Sequence, residues 1–340
     1  MSMLTNKEPV FVTGGTGFIG RHLVRELVRQ GYAVRCLVRK SSHTQPLEEL
    51  GVTLIYGDVT DANALTMGMR GCHTLYHLAN LYAMWHPHPQ DFERVNVEGT
   101  RTVMQAALDC DVQKVVYLST VAVFGKPARS PFTEEDPPGR QFFSRYAASK
   151  ARAEEIAWQF HHQNSLPLVV LYPGIVLGPG DDKPSGQYIQ DILLWRVPTP
   201  IYRKSVNTYV AVQDVVTAAI LAAQNAHTNG KRYLIGNQRI NGLEYARLIC
   251  AVSGAPMPPL RLPDWMVNLV GAVLGWLCDR IKLPPPWGLS PDACRTLQNG
   301  FSFDGSRAAS ELGFTYSPVR VALQAACRGY KKPFWVRKTG

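Results

Sequence analysis

The sequence predicts an α/β fold in which a doubly wound parallel sheet is followed by a smaller C-terminal lobe. Short β-branched runs alternate with amphipathic stretches through the first half of the 340-residue chain, which is typical of βαβ units. A glycine-rich segment directly follows the first of these runs. After Pro173 the prolines cluster, so this half is expected to form a lobe of helices and loops.

The alternation sets the expected elements in chain order. The first strand is Val10–Val12, and the helix Phe18–Gln30 follows it with apolar residues at helical spacing and Gly31 as its C-cap. Further strands are expected at Ala33–Val38, Thr53–Tyr56, Thr74–Leu78, Val115–Ser119 and Leu168–Tyr172. Helical patterns cover Val95–Ala107 and Tyr146–Phe160, and the segments Val212–Gln224 and Lys231–Ile235 return to the sheet.

The composition is that of an ordered globular protein, with 46% hydrophobic and 18% charged residues. The net charge of +10 is compatible with nucleic acid, an anionic membrane surface or an anionic cofactor. Basic residues form only short clusters, such as Arg39-Lys40 and the tail Lys331–Lys338, which argues against nucleic-acid binding. The seven cysteines are scattered and form no C-x-x-C pair, and the N-terminus lacks an apolar signal region, so a reducing cytoplasm is expected.

One segment is more apolar than the rest of the chain. Trp265–Cys278 is apolar at every position except Asn268, yet it is too short to span a bilayer. A helix buried against the core or against a bound substrate is the expected structure. Contact with a membrane surface is the alternative, and it is not favoured.

The segment V-T-G-G-T-G-F-I-G, residues 12–20, lies between a predicted strand and a predicted helix, where a phosphate-binding loop belongs. Its glycines at 14, 17 and 20 allow a tight turn, close approach of the backbone to a pyrophosphate, and packing of the helix on the sheet. This context predicts a Rossmann domain that binds a dinucleotide over residues 1–176, to which 209–236 returns. Residues 177–208 and 237–335 are then the substrate-binding lobe.

The end of the second strand indicates which dinucleotide binds. NAD enzymes usually carry an acid there, whereas an arginine accommodates the 2′-phosphate of NADP. This strand ends in Val38-Arg39-Lys40 without an acid, so NADP is favoured over NAD. Asp58, after the third strand, can accept from the adenine amino group, although capping of the helix Asp61–Met69 also explains it.

Tyr146 and Lys150 lie four residues apart, on one face of a predicted helix. An ammonium beside the phenol, together with a cationic nicotinamide, favours the phenolate. The pKa of Tyr146 is therefore expected nearer neutrality, where it acts as a general acid/base. Ser119 and Thr120 end the fifth strand upstream, and either hydroxyl could hold the substrate oxygen.

Together these motifs resemble the extended short-chain dehydrogenases/reductases of the NAD-dependent epimerase/dehydratase type. The matching segments cover nearly the whole chain: T-G-G-T-G-F-I-G, G-D-V-T-D, H-L-A-N, N-V-E-G-T, L-S-T-V-A-V-F-G, Y-A-A-S-K, P-G-I-V-L-G-P-G-D and the closing segment Phe303–Phe314. The resemblance implies catalysis by Thr120, Tyr146 and Lys150, because the family's catalytic hydroxyl stands four residues before an aromatic-glycine pair, here Phe124-Gly125. The expected cofactor contacts are Gly14, Thr16, Gly17, Phe18, Ile19, Gly20, Arg39, Lys40, Asp58, Val59, Leu78, Ala79, Asn80, Tyr146, Lys150, Pro173, Ile175 and Val176.

Three positions depart from the family's usual pattern. Asn80 replaces a common small residue and could donate to cofactor or substrate. Tyr172 stands where many members carry arginine, and the acid after the second strand is absent.

Two further segments are weaker candidates for substrate contact: Trp85-His86-Pro87-His88 and Tyr202-Arg203-Lys204. No metal site is expected.

Three functions are open at this point. The first is an NADP-dependent ketone reductase or alcohol dehydrogenase for a bulky, apolar small molecule, similar to the dihydroflavonol reductase and 3β-hydroxysteroid dehydrogenase branch of the family. The second is a nucleotide-sugar epimerase or dehydratase with tightly bound NAD. The third is a non-catalytic NADP-sensing protein, which the presence of both Tyr146 and Lys150 argues against. A homodimer is a candidate assembly that the sequence does not select.

Overall fold

The computed structural model describes residues 7–139 and 141–330. The strands of this part of the chain are β1 (Lys7–Thr13), β2 (Tyr32–Val38), β3 (Thr53–Tyr56), β4 (Thr74–His77), β5 (Lys114–Leu118), β6 (Leu168–Pro173), β7 (Ile175–Leu177), β8 (Val206–Ala211), β9 (Lys231–Ile235) and β10 (Gln238–Asn241). Seven of them form one parallel sheet in the order β3-β2-β1-β4-β5-β6-β9. The order reverses between β1 and β4, so the predicted doubly wound parallel sheet is confirmed.

Helices cover both faces of this sheet. The α-helices of the described residues are α1 (Phe18–Arg29), α2 (Gln45–Glu48), α3 (Ala62–Met69), α4 (Gln90–Phe92), α5 (Gly99–Asp109), α6 (Arg145–Asn164), α7 (Pro184–Leu193), α8 (Val212–Gln224), α9 (Gly242–Ser253), α10 (Asp264–Ile281), α11 (Pro291–Asn299), α12 (Ser306–Leu312) and α13 (Val319–Arg328). On one face, α3, α5 and α6 pack on Phe11 and Val115. On the other, α1 and α8 pack on Val10 and Val12. Successive side chains of β1 therefore pack into the hydrophobic cores on opposite faces of the sheet, as expected for a sheet buried on both faces.

The helix predicted at Val95–Ala107 differs from the observed structure. A π-helical turn, Glu93–Glu98, precedes α5. In this turn the buried Asn96 accepts from the Leu81 backbone N–H at 2.7 Å and donates to the Ser149 hydroxyl at 2.9 Å. Such a widened turn is frequent at functional sites. Through these two hydrogen bonds, Asn96 connects α6 to the segment that follows β4.

The C-terminal half contains a second sheet, which the sequence did not predict. Strands β7, β8 and β10 pair in the order β10-β8-β7, with β8 antiparallel to β10 and parallel to β7. The expectation of helices and loops alone is wrong, because the short runs between prolines pair with each other across the chain. The two-domain division stays a prediction, and its boundary at residue 176 falls inside β7. The basic tail Lys331–Lys338 and residues 331–335 of the predicted lobe lie outside the described residues.

The apolar segment Trp265–Cys278 forms most of α10, and only one side of that helix is buried. The buried residues are Val267, Gly271, Gly275 and Cys278. They seat α10 on α11, where a Cβ on Gly275 would lie 2.5 Å from Pro291. The opposite side is exposed, and Trp265 retains 65% of its accessible surface. The expected burial of the whole segment is therefore wrong, since its apolar residues surround the helix and only one face meets the protein. Within the described chain, no helix combines the length and apolarity needed to cross a bilayer.

Candidate active site

A cavity of about 1040 Å³ runs along the carboxyl edge of the parallel sheet. Its walls include the loop after β1 and the ends of β2, β4, β5 and β6. Open α/β sheets bind ligands in this crevice, where the strand order reverses. We call the part lined by residues 14–59 the glycine-loop end and the part lined by residues 181–301 the distal end.

The glycine loop has the shape that a phosphate group needs. Gly14 has φ +77°, and a Cβ there would lie 2.7 Å from the backbone nitrogen of Ala79. A Cβ on Gly20 would overlap the Gly14 carbonyl oxygen, so glycine alone fits both positions. No described side chain caps α1, which leaves its first backbone N–H groups available to an anion. The predicted contacts of this loop all line the cavity: Gly14, Thr16, Gly17, Phe18, Ile19 and Gly20.

The chain after β2 contributes one of its two cations to the cavity. Arg39 lines the glycine-loop end and is exposed, whereas Lys40 does not line it. Lys40 follows in a turn, so its contact with the cofactor stays a prediction. Ser42 and His43 line this end instead. Sequence reasoning missed them, although their place in the same loop could have indicated them.

Asp58 and Val59 also line the glycine-loop end. The Asp58 carboxylate accepts from the Thr60 backbone N–H at 3.2 Å and from the Thr60 hydroxyl at 3.0 Å. Asp61, not Asp58, caps α3 by accepting from the Ala64 N–H at 3.1 Å. Helix capping therefore does not explain Asp58, and its carboxylate stands at the cavity wall.

The end of β4 lies beside the glycine loop, where Leu78, Ala79 and Asn80 line the cavity. The ring nitrogens of His77 bond to hydroxyl groups of β1 and α5 and hold this edge in place. Burial lowers the pKa of His77 to about 3, so the ring is neutral. The Asn80 amide donates to the Leu78 carbonyl at 3.0 Å, and Asn80 Oδ1 has no partner among the described residues. The second N–H of the amide is available for the donation to a ligand that the sequence predicts, which stays a prediction, and the unpaired Oδ1 offers an acceptor at the same position.

The two candidate hydroxyls after β5 have different partners, although both line the cavity. Ser119 donates to Glu154 at 2.5 Å, so its hydrogen is committed to a buried carboxylate. Thr120 is hydrogen-bonded through its side chain to Tyr146. Its oxygen also accepts from the Ala122 N–H at 3.3 Å. Of the two hydroxyls, Thr120 is thus the one placed beside the predicted acid/base.

Tyr146 lines the cavity from the first turn of α6. The ring of Tyr82 packs edge-on against it, with 4.9 Å between centroids. Burial raises the pKa of Tyr146 and the nearby Tyr82 raises it further, while the hydrogen bond from Thr120 opposes this. In the protein by itself Tyr146 is therefore a protonated phenol, and the pKa near neutrality that we expect beside a cationic nicotinamide stays a prediction. The sequence analysis also did not identify Tyr82 as a residue of the site, although its position two residues after Asn80 could have indicated it.

Lys150 lies behind the cavity wall, one turn of α6 beyond Tyr146. Its ammonium donates to the Tyr117 hydroxyl at 2.8 Å and to the Leu118 carbonyl at 3.0 Å, and it is buried. Burial lowers the pKa of Lys150 to about 7, although the carboxylate of Glu154 acts in the opposite direction. Lys150 is therefore poised to gain or lose its charge near neutral pH.

The replacement of the family's arginine by Tyr172 is explained by Glu154. The Tyr172 hydroxyl donates to Glu154 Oε1 at 2.5 Å, and Ser119 donates to the other carboxylate oxygen. Trp158 adds a third donor at 3.3 Å. Burial raises the pKa of Glu154, and these hydrogen bonds counter that effect. Three neutral donors thus satisfy the buried carboxyl group where a cation is usual.

Apolar and aromatic side chains form much of the distal end, beside polar groups that include Asp181, Asp182 and Asp191. Tyr188, Tyr209 and Tyr245 line it, and the Tyr209 and Tyr245 rings stack at 4.4 Å between centroids. The Tyr245 hydroxyl and Thr296 Oγ1 are buried without a partner in the described chain. Met266, Val267 and Val270 of α10 form part of the wall. A largely apolar ligand with one or two polar groups would satisfy this surface.

The predicted contacts between the two ends, Pro173, Ile175 and Val176, also line the cavity. The weaker candidates do not form a site there. Trp85 donates to Asp279 at 2.8 Å, and His86 lies 3.7 Å from Asp91. The tyrosine of the segment 202–204 lines the distal end, but its two cations do not. No cluster of three or more potential metal ligands occurs in residues 7–139 and 141–330.

A family model described as the NAD dependent epimerase/dehydratase family matches residues 10–236. A putative dihydroflavonol 4-reductase of Synechocystis sp. is 32% identical over 96% of this chain and 96% of its own. A 3 beta-hydroxysteroid dehydrogenase/Delta 5→4-isomerase of Mycobacterium tuberculosis is 28% identical over 95% of this chain and 90% of its own.

A solved structure has the same fold. The dTDP-glucose 4,6-dehydratase DesIV of Streptomyces venezuelae, with NAD and TYD bound, superposes with a TM-score of 0.77. The superposition covers 95% of this chain and 96% of the dehydratase, at 24% identity.

Proposed function

Because the chain belongs to the NAD dependent epimerase/dehydratase family, we propose that it is an NADP-dependent ketone reductase or alcohol dehydrogenase for a bulky, largely apolar small molecule. The family and its relatives are NAD(P)-dependent oxidoreductases, epimerases or dehydratases, so the chain is an enzyme that uses such a nucleotide. The reductase proposal adds the direction of chemistry, the choice of NADP and the class of substrate.

The choice of an uncharged, apolar substrate rests on the charge of the side chains that line the distal end. Lys183 is the one cation that lines it in the described chain, and it lies 3.3 Å from Asp182. Asp181 and Asp191 line the same end, so acids outnumber cations there. A nucleotide sugar brings a diphosphate that such a surface repels. An apolar ketone brings no charge and suits the surrounding aromatic wall.

The residues of this chain account for the proton transfer that ketone reduction requires. NADPH, when bound, supplies the hydride that reaches the carbonyl carbon. Tyr146 is a protonated phenol and donates its proton to the carbonyl oxygen, while the Thr120 hydroxyl holds that oxygen in place. The ammonium of Lys150, one helical turn away, favours the phenolate that remains. In the oxidative direction, the same groups take the proton from an alcohol.

We expect Arg39→Ala to weaken NADPH binding by about 1.5–3 kcal/mol, because a charge-assisted hydrogen bond to the 2′-phosphate is lost. That loss corresponds to roughly a 10- to 150-fold rise in Kd. NADH binding should stay unchanged, since NADH lacks this phosphate. Fluorescence titration with both nucleotides measures the effect. Lys40→Ala is the matched control, since Lys40 is an exposed neighbouring cation that does not line the cavity. Equal affinity for both nucleotides before and after Arg39→Ala would show that the arginine is only a surface charge.

The nucleotide that co-purifies and its fate separate the reductase from the epimerase. We expect loosely held NADP(H), and stoichiometric NADPH oxidation when a polycyclic ketone is added. An epimerase or dehydratase would instead hold NAD tightly and convert a UDP- or dTDP-sugar without net nucleotide consumption. That second outcome would overturn the reductase proposal.

We further propose a reducing, cytosolic environment for the chain. All seven cysteines lie in the described part of the sequence, and none is joined in a disulfide. Six of them are buried, where burial keeps thiols unreactive.

A further inference from the structure

Among residues 7–139 and 141–330, the exposed hydrophobic residues are concentrated in one place. Of the fourteen large hydrophobic side chains that are exposed in this part of the chain, ten lie between Leu260 and Trp287. The outward side of α10 carries most of them, and we call it the α10 surface: Trp265, Leu269, Val273, Trp276, Leu277 and Ile281. A contiguous apolar area of this kind marks a contact surface rather than ordinary solvent-facing protein.

The orientation of α10 is fixed by its inner side, so the α10 surface cannot simply turn inward. Gly271 and Gly275 face α11, and a Cβ on Gly271 would overlap the Cys294 sulfur. The Tyr202 hydroxyl donates to the Asn268 side chain at 2.7 Å, which holds the helix at a second point. The large apolar side chains therefore stay outside.

Cations accompany the α10 surface. Arg261, Arg280 and Lys282 are exposed at the two ends of the helix. Arg261 and Lys282 make no ion pair with any described residue, and Arg280 lies 5.0 Å from the Trp276 ring. Of the two acids on the helix, Asp279 accepts from Trp85, and Asp264 stands in the first turn, where the helix dipole favours a negative charge. Apolar side chains with tryptophans, bordered by unpaired cations, complement an anionic lipid surface.

The α10 surface is continuous with the mouth of the cavity. Val270 and Trp287 are both 43% or more exposed, and both also line the distal end. Met266 and Val267 continue the same wall inward. A ligand that leaves a lipid surface at α10 therefore meets an apolar path to the distal end.

We propose that the α10 surface docks on an anionic bilayer, with α10 lying in the interface, and that an apolar substrate enters the cavity from the lipid. The docking stands on the exposed side chains and the cations alone. The entry step rests on the proposed function. The net charge of +10 supports the approach to an anionic surface.

Vesicle co-sedimentation of the full chain tests the docking. We expect binding to vesicles of phosphatidylcholine and phosphatidylglycerol in equal parts, and at least tenfold weaker binding to pure phosphatidylcholine. The double variant Trp265→Ser/Trp276→Ser should lose tenfold or more of its affinity for the anionic vesicles. The matched control is Met67→Ser/Val321→Ser, which removes two hydrophobic side chains of similar exposure elsewhere, at 61% and 55%. The control should bind as the unaltered protein does.

A second variant tests the charges independently of the tryptophans. Arg261→Glu/Lys282→Glu should weaken binding to anionic vesicles and leave the circular dichroism spectrum and NADPH titration unchanged. Absence of vesicle binding by the unaltered protein, or an equal loss in both serine double variants, overturns the docking. A dimer that the tryptophan variant converts to a monomer, without vesicle binding, assigns the surface to a second copy and also overturns it.

The entry step has its own measurement. Reduction of a membrane-partitioned polycyclic ketone should be faster with anionic vesicles than in vesicle-free solution, and the tryptophan variant should lose this gain while reducing a short, water-soluble ketone at the normal rate. Equal rates with and without vesicles overturn the entry step. Vesicle binding by a protein that reduces no ketone refutes the proposed function and leaves the docking intact.

Discussion

We expect Tyr146→Phe to lower kcat for ketone reduction by about 10²–10⁴-fold, because the only change is the loss of the proton donor. The phenyl ring keeps its edge-on contact with Tyr82, so the cavity wall and NADPH binding should be preserved. Steady-state kinetics with NADPH and the ketone that the enzyme turns over measures the first effect, and nucleotide titration measures the second.

Tyr56→Phe is the control for this substitution, since Tyr56 is 53% exposed at the end of β3 and does not line the cavity. It should retain full activity. If Tyr146→Phe turned over substrate at nearly the normal rate, the proton would have to come from another group, and the assignment of Tyr146 would fail.

We expect Lys150→Met to lower kcat/KM by about 10²–10³-fold, the size typical of removing one preorganised group that stabilises developing charge. The pH dependence gives a sharper readout. Burial lowers the pKa of Lys150 to about 7, so the ammonium is present below that pH and is lost as the pH rises through it. The kcat/KM of the unaltered enzyme, which reports the free enzyme, should therefore fall above about pH 7. The variant should be slow at every pH and lack this step.

Lys114 supplies a matched control at the opposite end of β5. It too is buried, its ammonium donates to the Asn225 carbonyl at 3.0 Å and to the Thr228 hydroxyl at 2.7 Å, and burial lowers its pKa to about 8. Lys114→Met should cost stability and leave the pH profile of kcat/KM unchanged. A profile that lost its step in Lys114→Met but kept it in Lys150→Met would contradict the assignment.

The parts of the molecule that the sequence predicts are those governed by local pattern. The alternation of β-branched runs and amphipathic stretches predicts the parallel sheet, and β3, α8 and β9 occur at the expected residues. The glycine loop is equally readable, because Gly14 and Gly20 are required by backbone contacts made within one βα unit and its neighbouring strand.

The parts that the sequence does not predict depend on contacts between distant segments. The protonated state of Tyr146 follows from burial beside Tyr82, a contact made across 64 residues. The unpaired acceptor atom of Asn80 becomes apparent only from the hydrogen bond that its amide donates to a backbone carbonyl. The exposed side of α10 could not be foreseen either, since composition alone does not say which face of an apolar helix meets the protein. These features share one cause, which is that tertiary packing overrides local preference.

The cavity draws its walls from almost the whole length of the chain, from Gly14 to Phe301. During translation at 5–20 residues per second, roughly 15–60 s separate the emergence of these two residues from the ribosome. The glycine loop and its strands exist early in that interval, whereas the wall at residues 287–301 is among the last parts to be made. A nascent or C-terminally truncated chain can therefore possess the nucleotide-binding loop without an enclosed substrate pocket, and selectivity for substrate is acquired only when synthesis is nearly complete.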